Sequence, residues 1–248
     1  MRAPTLNDGS AAHGFTTRLG GVSQPPFQSL NLGRGVGDAP ALVAENRRRA
    51  LAALRAGPEA HVEASQVHGR TVAVVDRADR GRKVEGADGL ITSDPEVVLA
   101  IHAADCVPIL LWDSRGGAVG AVHAGWRGTA AGAAPAAVEE MRTAFGTHPT
   151  DLRVALGPSI GACHYEVDAP VAAAFERWPW RADILRAGRP GHWHLDLAEA
   201  NRQDLVDAGV PAEQIWSSSY CTACHRHLFF SYRRERLTGR MGALIRIR

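Results

Sequence analysis

Residues 97–124 read VVLAIHAADCVPILLWDSRGGAVGAVHA, three apolar runs separated by a short polar break and a Gly-rich turn. The runs at 97–103, 108–113 and 117–124 have strand length and are bounded by turn residues. A strand with one wet face alternates apolar and polar letters. The almost continuous apolar content here predicts strands covered on both faces. Working outward, TVAVVD (71–76), DGLIT (88–92), DLRVALG (151–157) and MGALIRI (241–247) read as further strands. TAAGAAPAAVEEMRTAFG (129–146) reads as a helix in which Pro135 marks a kink or a late start. Other helices are expected near 168–178 and 196–208, and over APALVAENRRRALAALRAG (39–57). In that last segment Leu42, Leu51 and Leu54 recur at helical spacing, Asp38 is the expected N-cap, and Gly57-Pro58 stops the run. GGVSQPPFQSLNLGRGVG (20–37) has the composition of a structured loop. Clustered strands with intervening helices give an α/β (α+β-like) class. The expectation is a single layered domain over 1–248, with a mixed central β-sheet flanked by helices.

The 248 residues are enough to bury a substantial core. With 45% hydrophobic and 22% charged residues the composition is that of an ordinary globular chain. A formal net charge of +2 is too small to argue for a nucleic-acid or membrane partner. Lys83 is the only lysine, a compositional bias toward arginine rather than a motif. The start, MRAPTLNDGSAAHGF, has no apolar secretory core, and no run approaches membrane-spanning length. Four cysteines are too sparse for a disulfide scaffold, so reduced thiols and a cytoplasmic location are expected.

Three stretches place a metal-competent side chain at a strand end or turn. His68 stands in SQVHGRTVAVV, Cys106 in HAADCVPILL and His123 in AVHAGWRG. A lone histidine is ordinarily a hydrogen-bonded structural group, and a lone buried cysteine a small hydrophobe. What favours ligation is that Cys106 and His123 border neighbouring strands beside Gly or Pro breaks. Two imidazoles and a thiolate suit zinc, and three ligands with an open fourth position are the layout of a catalytic ion. An ion there would bring the pKa of a bound water toward neutrality. The same atoms admit another reading, with Cys106 as nucleophile, His123 as base and Asp105 as orienter. Asp105 directly precedes Cys106, so its side chain would point away, which weakens that role. Arg18 and Arg127 stand close to glycines, and amides opening the 129–146 helix could hold an anion, so phosphate is a candidate substrate. CTACHRH (221–227) looks like half of a zinc ribbon, with Cys221, Cys224, His225 and His227. No second CxxC completes it, so a second metal is not expected there. Trp178-Pro179-Trp180 and Trp193 are read as packing aromatics rather than a stacking surface.

TRLGGVSQPPFQSLNLG, SQVHG, ADGLIT, ADCVPIL, AVHAGWRGTA, GPSIGACHYEV and the FFSYRRE…TGRMGALI segment follow one another across nearly the whole chain. Together these seven ordered blocks resemble the laccase-domain family. That family includes the bacterial "polyphenol oxidases", the peptidoglycan-editing-factor PgeF group and a human relative in purine metabolism. The resemblance implies an α/β fold with a mixed sheet and a metal-binding set at His68, Cys106 and His123, the three positions already singled out. It implies a zinc enzyme acting on purine nucleosides with phosphate. The reactions would be phosphorolysis of adenosine, inosine, guanosine and S-methyl-5′-thioadenosine, and deamination of adenosine. Arg18 looks similar to a substrate-contacting arginine, and Arg127 is the second substrate-binding candidate. The chain departs from the family pattern at Cys224-His225-Arg226-His227. A monomer or homodimer is expected.

Three other readings compete. A copper-dependent phenol oxidase would need several coppers held by HxH pairs, and only His192-Trp193-His194 and His225-Arg226-His227 have that form, so copper ranks below zinc. A Cys-His amidase would edit peptidoglycan precursors by removing misincorporated L-Ser. A metal-loaded interaction domain would need no chemistry at all and would keep its effect in Cys106→Ala.

Overall fold

The computed structural model describes residues 1–7, 10–176 and 178–248. Its strands are β1 (Ala11–Phe15), β2 (His61–Ala64), β3 (Val72–Val74), β4 (Lys83–Val84), β5 (Gly89–Thr92), β6 (Val98–Ala103) and β7 (Val107–Asp113). They continue with β8 (Val119–Ala124), β9 (Leu152–Leu156), β10 (Glu166–Asp168), β11 (Leu185–Ala187), β12 (His192–Leu195), β13 (Ile215–Ser217) and β14 (Met241–Ile247). The helices are α1 (Pro40–Ala52), α2 (Trp126–Ala131), α3 (Ala133–Phe145), α4 (Ala169–Ala173), α5 (Arg181–Ile184), α6 (Leu197–Asp207) and α7 (Tyr232–Glu235). The class is α/β, as the sequence predicts, but the strands form two large mixed sheets rather than one. One runs β1-β14-β6-β2-β4 and the other β13-β9-β7-β8-β5-β3, with a small sheet β10-β12-β11 beside them.

The period of two along the strands explains the layering. In β6, Leu99 and Ile101 point to a core shared between the two sheets, while Val98 and Ala100 point to the opposite face. In β7, Leu110 and Trp112 enter the shared core, while Val107, Ile109 and Leu111 turn outward to a helical layer. That outer layer on the β7 side is built from Ala134, Ala137, Val138 and Met141 of α3 and Leu197, Ala200 and Leu205 of α6. Ala50 and Leu51 of α1, with Leu54 just beyond it, cover the other sheet. The result is helix, sheet, sheet, helix, which is why the runs at 97–124 carry apolar side chains on both faces. Each fully buried Leu or Ile among them contributes about 1.5–3 kcal/mol.

Local chemistry moves three expected boundaries. Helix α1 begins at Pro40 with Ala39 as N-cap. Asp38 is not the cap, because its carboxylate accepts from Ser23 Oγ (2.6 Å) and Asn31 Nδ2 (2.9 Å), tying down the 20–37 loop. The predicted 129–146 helix is two helices. Gly132, at φ +83°, ends α2 and opens α3, so Pro135 sits harmlessly in the first turn of α3. The helix expected at 168–178 is the single turn and a half of α4, and Arg177 at its far end lies outside the described residues. Trp178 stacks on Trp180, with ring centroids 5.4 Å apart, and both join the helical-layer core, as their aromatic packing role predicts. Among the described residues no helix is long and apolar enough to cross a membrane.

Candidate metal centre and cleft

Two chain crossings between the large sheets meet at one point. The link from β2 to β3 carries His68, and the link from β6 to β7 carries Cys106. His123 lies near the end of β8, beside both. One ligand atom from each of these three side chains lies within 4.8 Å of the others. The imidazoles of His68 and His123 meet edge to face, with centroids 4.9 Å apart. His123 is buried, Cys106 half-buried and His68 exposed, so the group is anchored in the core and opens outward.

Asp88, completely buried just before β5, organises this arrangement. Its carboxylate accepts from the backbone N–H groups of Val67 (3.1 Å), His68 (2.9 Å) and Gly69 (2.7 Å). Those three bonds fold the QVHG segment and hold His68 at φ +62°. Asp88 Oδ1 also lies 2.9 Å from His123 Nδ1, which leaves Nε2 of that ring to face the other two donors. A carboxylate behind a histidine in this way fixes the tautomer and raises its basicity as a ligand. Burial alone would raise the Asp88 pKa, but the His123 imidazole and the loop amides hold it below the ordinary carboxylate value. Sequence reasoning placed no chemistry on Asp88. Its signal was the acidic residue inside ADGLIT, immediately before a strand whose partner, β8, carries His123.

The mutual electrostatics of these side chains are those of a thiolate–imidazolium pair. Burial pushes the Cys106 thiol up, yet the neighbouring His123 and His68 outweigh it and bring the pKa down to about 6. Burial pushes His123 down, yet Cys106 and Asp88 outweigh it and raise the pKa to about 9. A thiolate at neutral pH is both a ligand and a nucleophile. Asp105 does not serve as its orienter. The Asp105 carboxylate accepts from Thr222 Oγ1 and the Arg233 backbone N–H, both at 2.6 Å, while Asp88 stands behind His123.

Gly125 and Gly128, which follow His123, have a definite steric task. A Cβ on Gly125 would come within 3.0 Å of Cys106 Sγ and of His68 Cδ2. On Gly128 it would come within 2.8 Å of the Gly69 carbonyl. The glycines let the start of α2 lie against the donor group.

The three donors line a cleft of about 780 Å³, which also takes in Arg34, Lys83, Tyr232 and Arg240. That volume suits a small organic ligand. Arg240 is partly buried, donating to the carbonyls of Thr238 (2.9 Å) and Gly239 (3.0 Å). The structure does not bring Arg18 and Arg127 into this cleft. Arg18 lines a separate cavity of about 710 Å³, pairs with Glu235 at 2.9 Å and donates to the Gln28 and Arg226 carbonyls. Arg127 is exposed and lies over the Trp126 ring, 4.4 Å from its centroid. Neither HxH segment enters a donor group among the described residues. Nδ1 of His194 lies 2.8 Å from the Ala162 carbonyl and Nδ1 of His225 lies 3.0 Å from the Cys221 carbonyl.

The chain belongs to the family described as multi-copper polyphenol oxidoreductase laccase, whose profile matches residues 12–248. It is 44% identical over 250 residues to the Geobacillus stearothermophilus protein named purine nucleoside phosphorylase YlmD, covering 95% of this chain and 89% of that one. It is 44% identical over 246 residues to a Deinococcus radiodurans protein named purine nucleoside phosphorylase, covering 99% and 91%. The fold superposes on the crystal structure of the Bacillus licheniformis hypothetical protein YfiH with a TM-score of 0.93 at 40% identity, over 96% of this chain and 93% of that one.

Proposed function

We propose that this chain is a zinc-dependent purine nucleoside enzyme. It splits adenosine, inosine, guanosine and S-methyl-5′-thioadenosine with phosphate, and it deaminates adenosine. The observation that carries the reading is the open three-donor group at the wall of a nucleoside-sized, arginine-lined cleft. The names of the relatives support it.

His68, Cys106 and His123 would hold the ion, and the donor set fits: two nitrogens and one sulfur, with a carboxylate behind one ring and, among the described residues, no fourth protein ligand. When bound, zinc supplies Lewis-acid chemistry toward a water or hydroxyl oxygen at neutral pH. The chain's own residues do the rest. In phosphorolysis a phosphate oxygen forms a bond to the ribose C1′ as the C1′–N9 bond breaks, and the purine departs with a proton. Arg240, already partly desolvated, and Arg34 line the cleft and would hold the phosphate oxyanion there. In deamination water adds at C6 of adenine and ammonia leaves. Asp88 serves both reactions by keeping the His123 ring fixed.

The test supplies zinc-loaded protein with adenosine, with and without phosphate, and follows adenine, inosine and hypoxanthine. Adenine is expected only with phosphate and inosine in both cases. No turnover of any nucleoside overturns the reading.

One observation favours a second reading. Asp88, His123 and Cys106 also form an orienter–base–nucleophile series with a low thiol pKa, the layout of a cysteine amidase. That enzyme would act on peptidoglycan precursors bearing L-Ser. An acyl adduct on Cys106, seen by mass spectrometry of the metal-free protein with such a precursor, would establish it.

A further inference from the structure

The half-ribbon CTACHRH finds its other half in the fold. The turn carrying Cys163 and His164 docks against the turn carrying Cys221 and Cys224. Cys163 Sγ and Cys224 Sγ are 3.5 Å apart. His164 Nδ1 lies 3.3 Å from Cys163 Sγ, 3.3 Å from Cys224 Sγ and 3.9 Å from Cys221 Sγ. All four atoms lie within 4.8 Å of one another. A tetrahedral ion with zinc–sulfur bonds of about 2.3 Å and a zinc–nitrogen bond of about 2.05 Å needs corners about 3.6–3.8 Å apart. The observed spacings bracket that value. We propose that Cys163, His164, Cys221 and Cys224 hold a second zinc ion in a closed, four-ligand structural site.

The surroundings support a ligand set rather than a chance meeting of thiols. The Gly161 N–H donates to Cys221 Sγ at 3.2 Å, the amide contact that steadies a ligating thiolate. A Cβ on Gly161 would come within 3.2 Å of the Cys221 Cβ and 3.4 Å of Cys163 Sγ, so a glycine is what lets the two turns close. Backbone pairing joins the turns at one point, where the Thr222 N–H donates to the Ser159 carbonyl at 2.9 Å. The apolar cluster between the turns is Ile160, Cys221 and Ala223, with Tyr165 at its edge. A core that small adds little to this pairing, and metal ligation is a usual reinforcement of such loops. Three thiolates and one imidazole are a soft set that selects zinc, and with four protein ligands no position stays open for a reactant. On loading, the thiol protons leave to solvent.

The site has a consequence for the cleft. Thr222, between two of the ligands, donates to Asp105, and the Ile160 N–H donates to the Asp105 carbonyl at 2.9 Å. Asp105 stands at φ +89° directly before Cys106. The second ion would thus brace, from outside, the backbone that aims Cys106. Its role is positioning.

The test is metal analysis of the full chain, reconstituted with zinc and dialysed. The wild type is expected to hold two equivalents, Cys106→Ala one, Cys163→Ser one, and the double variant none. Cys224→His, which keeps a ligand, is expected to retain the second equivalent that Cys224→Ser loses. Cobalt-loaded Cys106→Ala keeps the proposal testable even where the serine variants fail to fold. It lacks the cleft thiolate, so intense thiolate-to-cobalt charge transfer and tetrahedral visible bands are expected from the three remaining thiolates. The proposal is overturned by Cys163→Ser with an unchanged zinc content, by a cobalt Cys106→Ala protein without those bands, or by fresh protein whose mass and peptide map show a disulfide among these cysteines.

Discussion

At the scale of single residues, the centre depends on a side chain that takes no part as a ligand. Asp88 satisfies three backbone amides and one imidazole from a fully buried position. Asp88→Ala would strand all four donors, costing about 3–5 kcal/mol in a urea titration. Asp88→Asn is the more informative change, because it keeps the shape and loses the charge. It is expected to fold, to weaken metal binding about 10–100-fold in competition with a chelator, and to lower the His123 pKa from about 9. Unchanged affinity with an unchanged His123 titration would remove Asp88 from the centre. The three donors could be read from the sequence because each stands at a strand end or turn beside a break. Asp88 could not, since its partners lie 19–35 residues away and meet it only after β5 pairs with β8. Cys163 and His164 were hidden for the same reason, because a CxxC advertises its own half of a site and not the half supplied by another loop.

At the scale of elements, legibility followed burial. The strands between 97 and 124 were plain because both of their faces are dry. Strand β2 was missed because its letters, HVEA, include Glu63, which reads as solvent-facing. In the fold Glu63 is buried against Arg47, with bonds of 2.9 and 2.7 Å, a pairing the sequence order does not reveal. The break between α2 and α3 was half legible. Pro135 announced a late start, but the residue that makes the break is Gly132, at φ +83° and ψ 45°. Its Cβ would have room, with Pro135 Cγ nearest at 3.4 Å, so the cost of a side chain is conformational. Gly132→Ala is expected to destabilise by about 1–2 kcal/mol, lowering Tm by several degrees, while Gly132→Asn recovers part of the loss because asparagine tolerates this region. Metal content should not change, since Gly132 lies at the end of α2 away from Gly125. An alanine variant as stable as wild type in a thermal melt would show that the helices can merge.

At the scale of the whole molecule, sequence gave the α/β class but not the pairing that divides the strands into two sheets. The last strand, β14, lies between β1 and β6, and nothing local foretells such a return. The same long-range closure buries groups whose titration governs acid stability. Burial pushes His13 down to about 4, with Nε2 accepting the Ala3 N–H at 2.8 Å, and pushes His102 down to about 3. Both pKa values are depressed in the fold. As pH falls below about 6.5 the unfolded chain therefore binds protons that the native chain refuses, and stability drops toward the folded pKa values. Each histidine adds at most about 1.4 kcal/mol per pH unit to that slope. Glu63 acts lower on the scale. Burial alone would raise it, yet Arg47 and its charged neighbours hold it at about 2, so its contribution is present above about 4.5 and is lost as pH falls toward about 2. The Cys106–His123 pair adds almost no slope between about pH 6.5 and 9 in the metal-free protein. The native pair holds its one proton on His123 and the unfolded pair holds one on Cys106. Urea midpoints of the metal-free chain are accordingly expected to fall steadily from about pH 6.5 to 4. His13→Gln, which removes the titrating group, should reduce the acid slope by about one proton's worth while leaving the alkaline side unchanged. A midpoint that stays level down to pH 4 would mean that these histidines are protonated in the fold, and that the interior between Ala3 and β1 admits water.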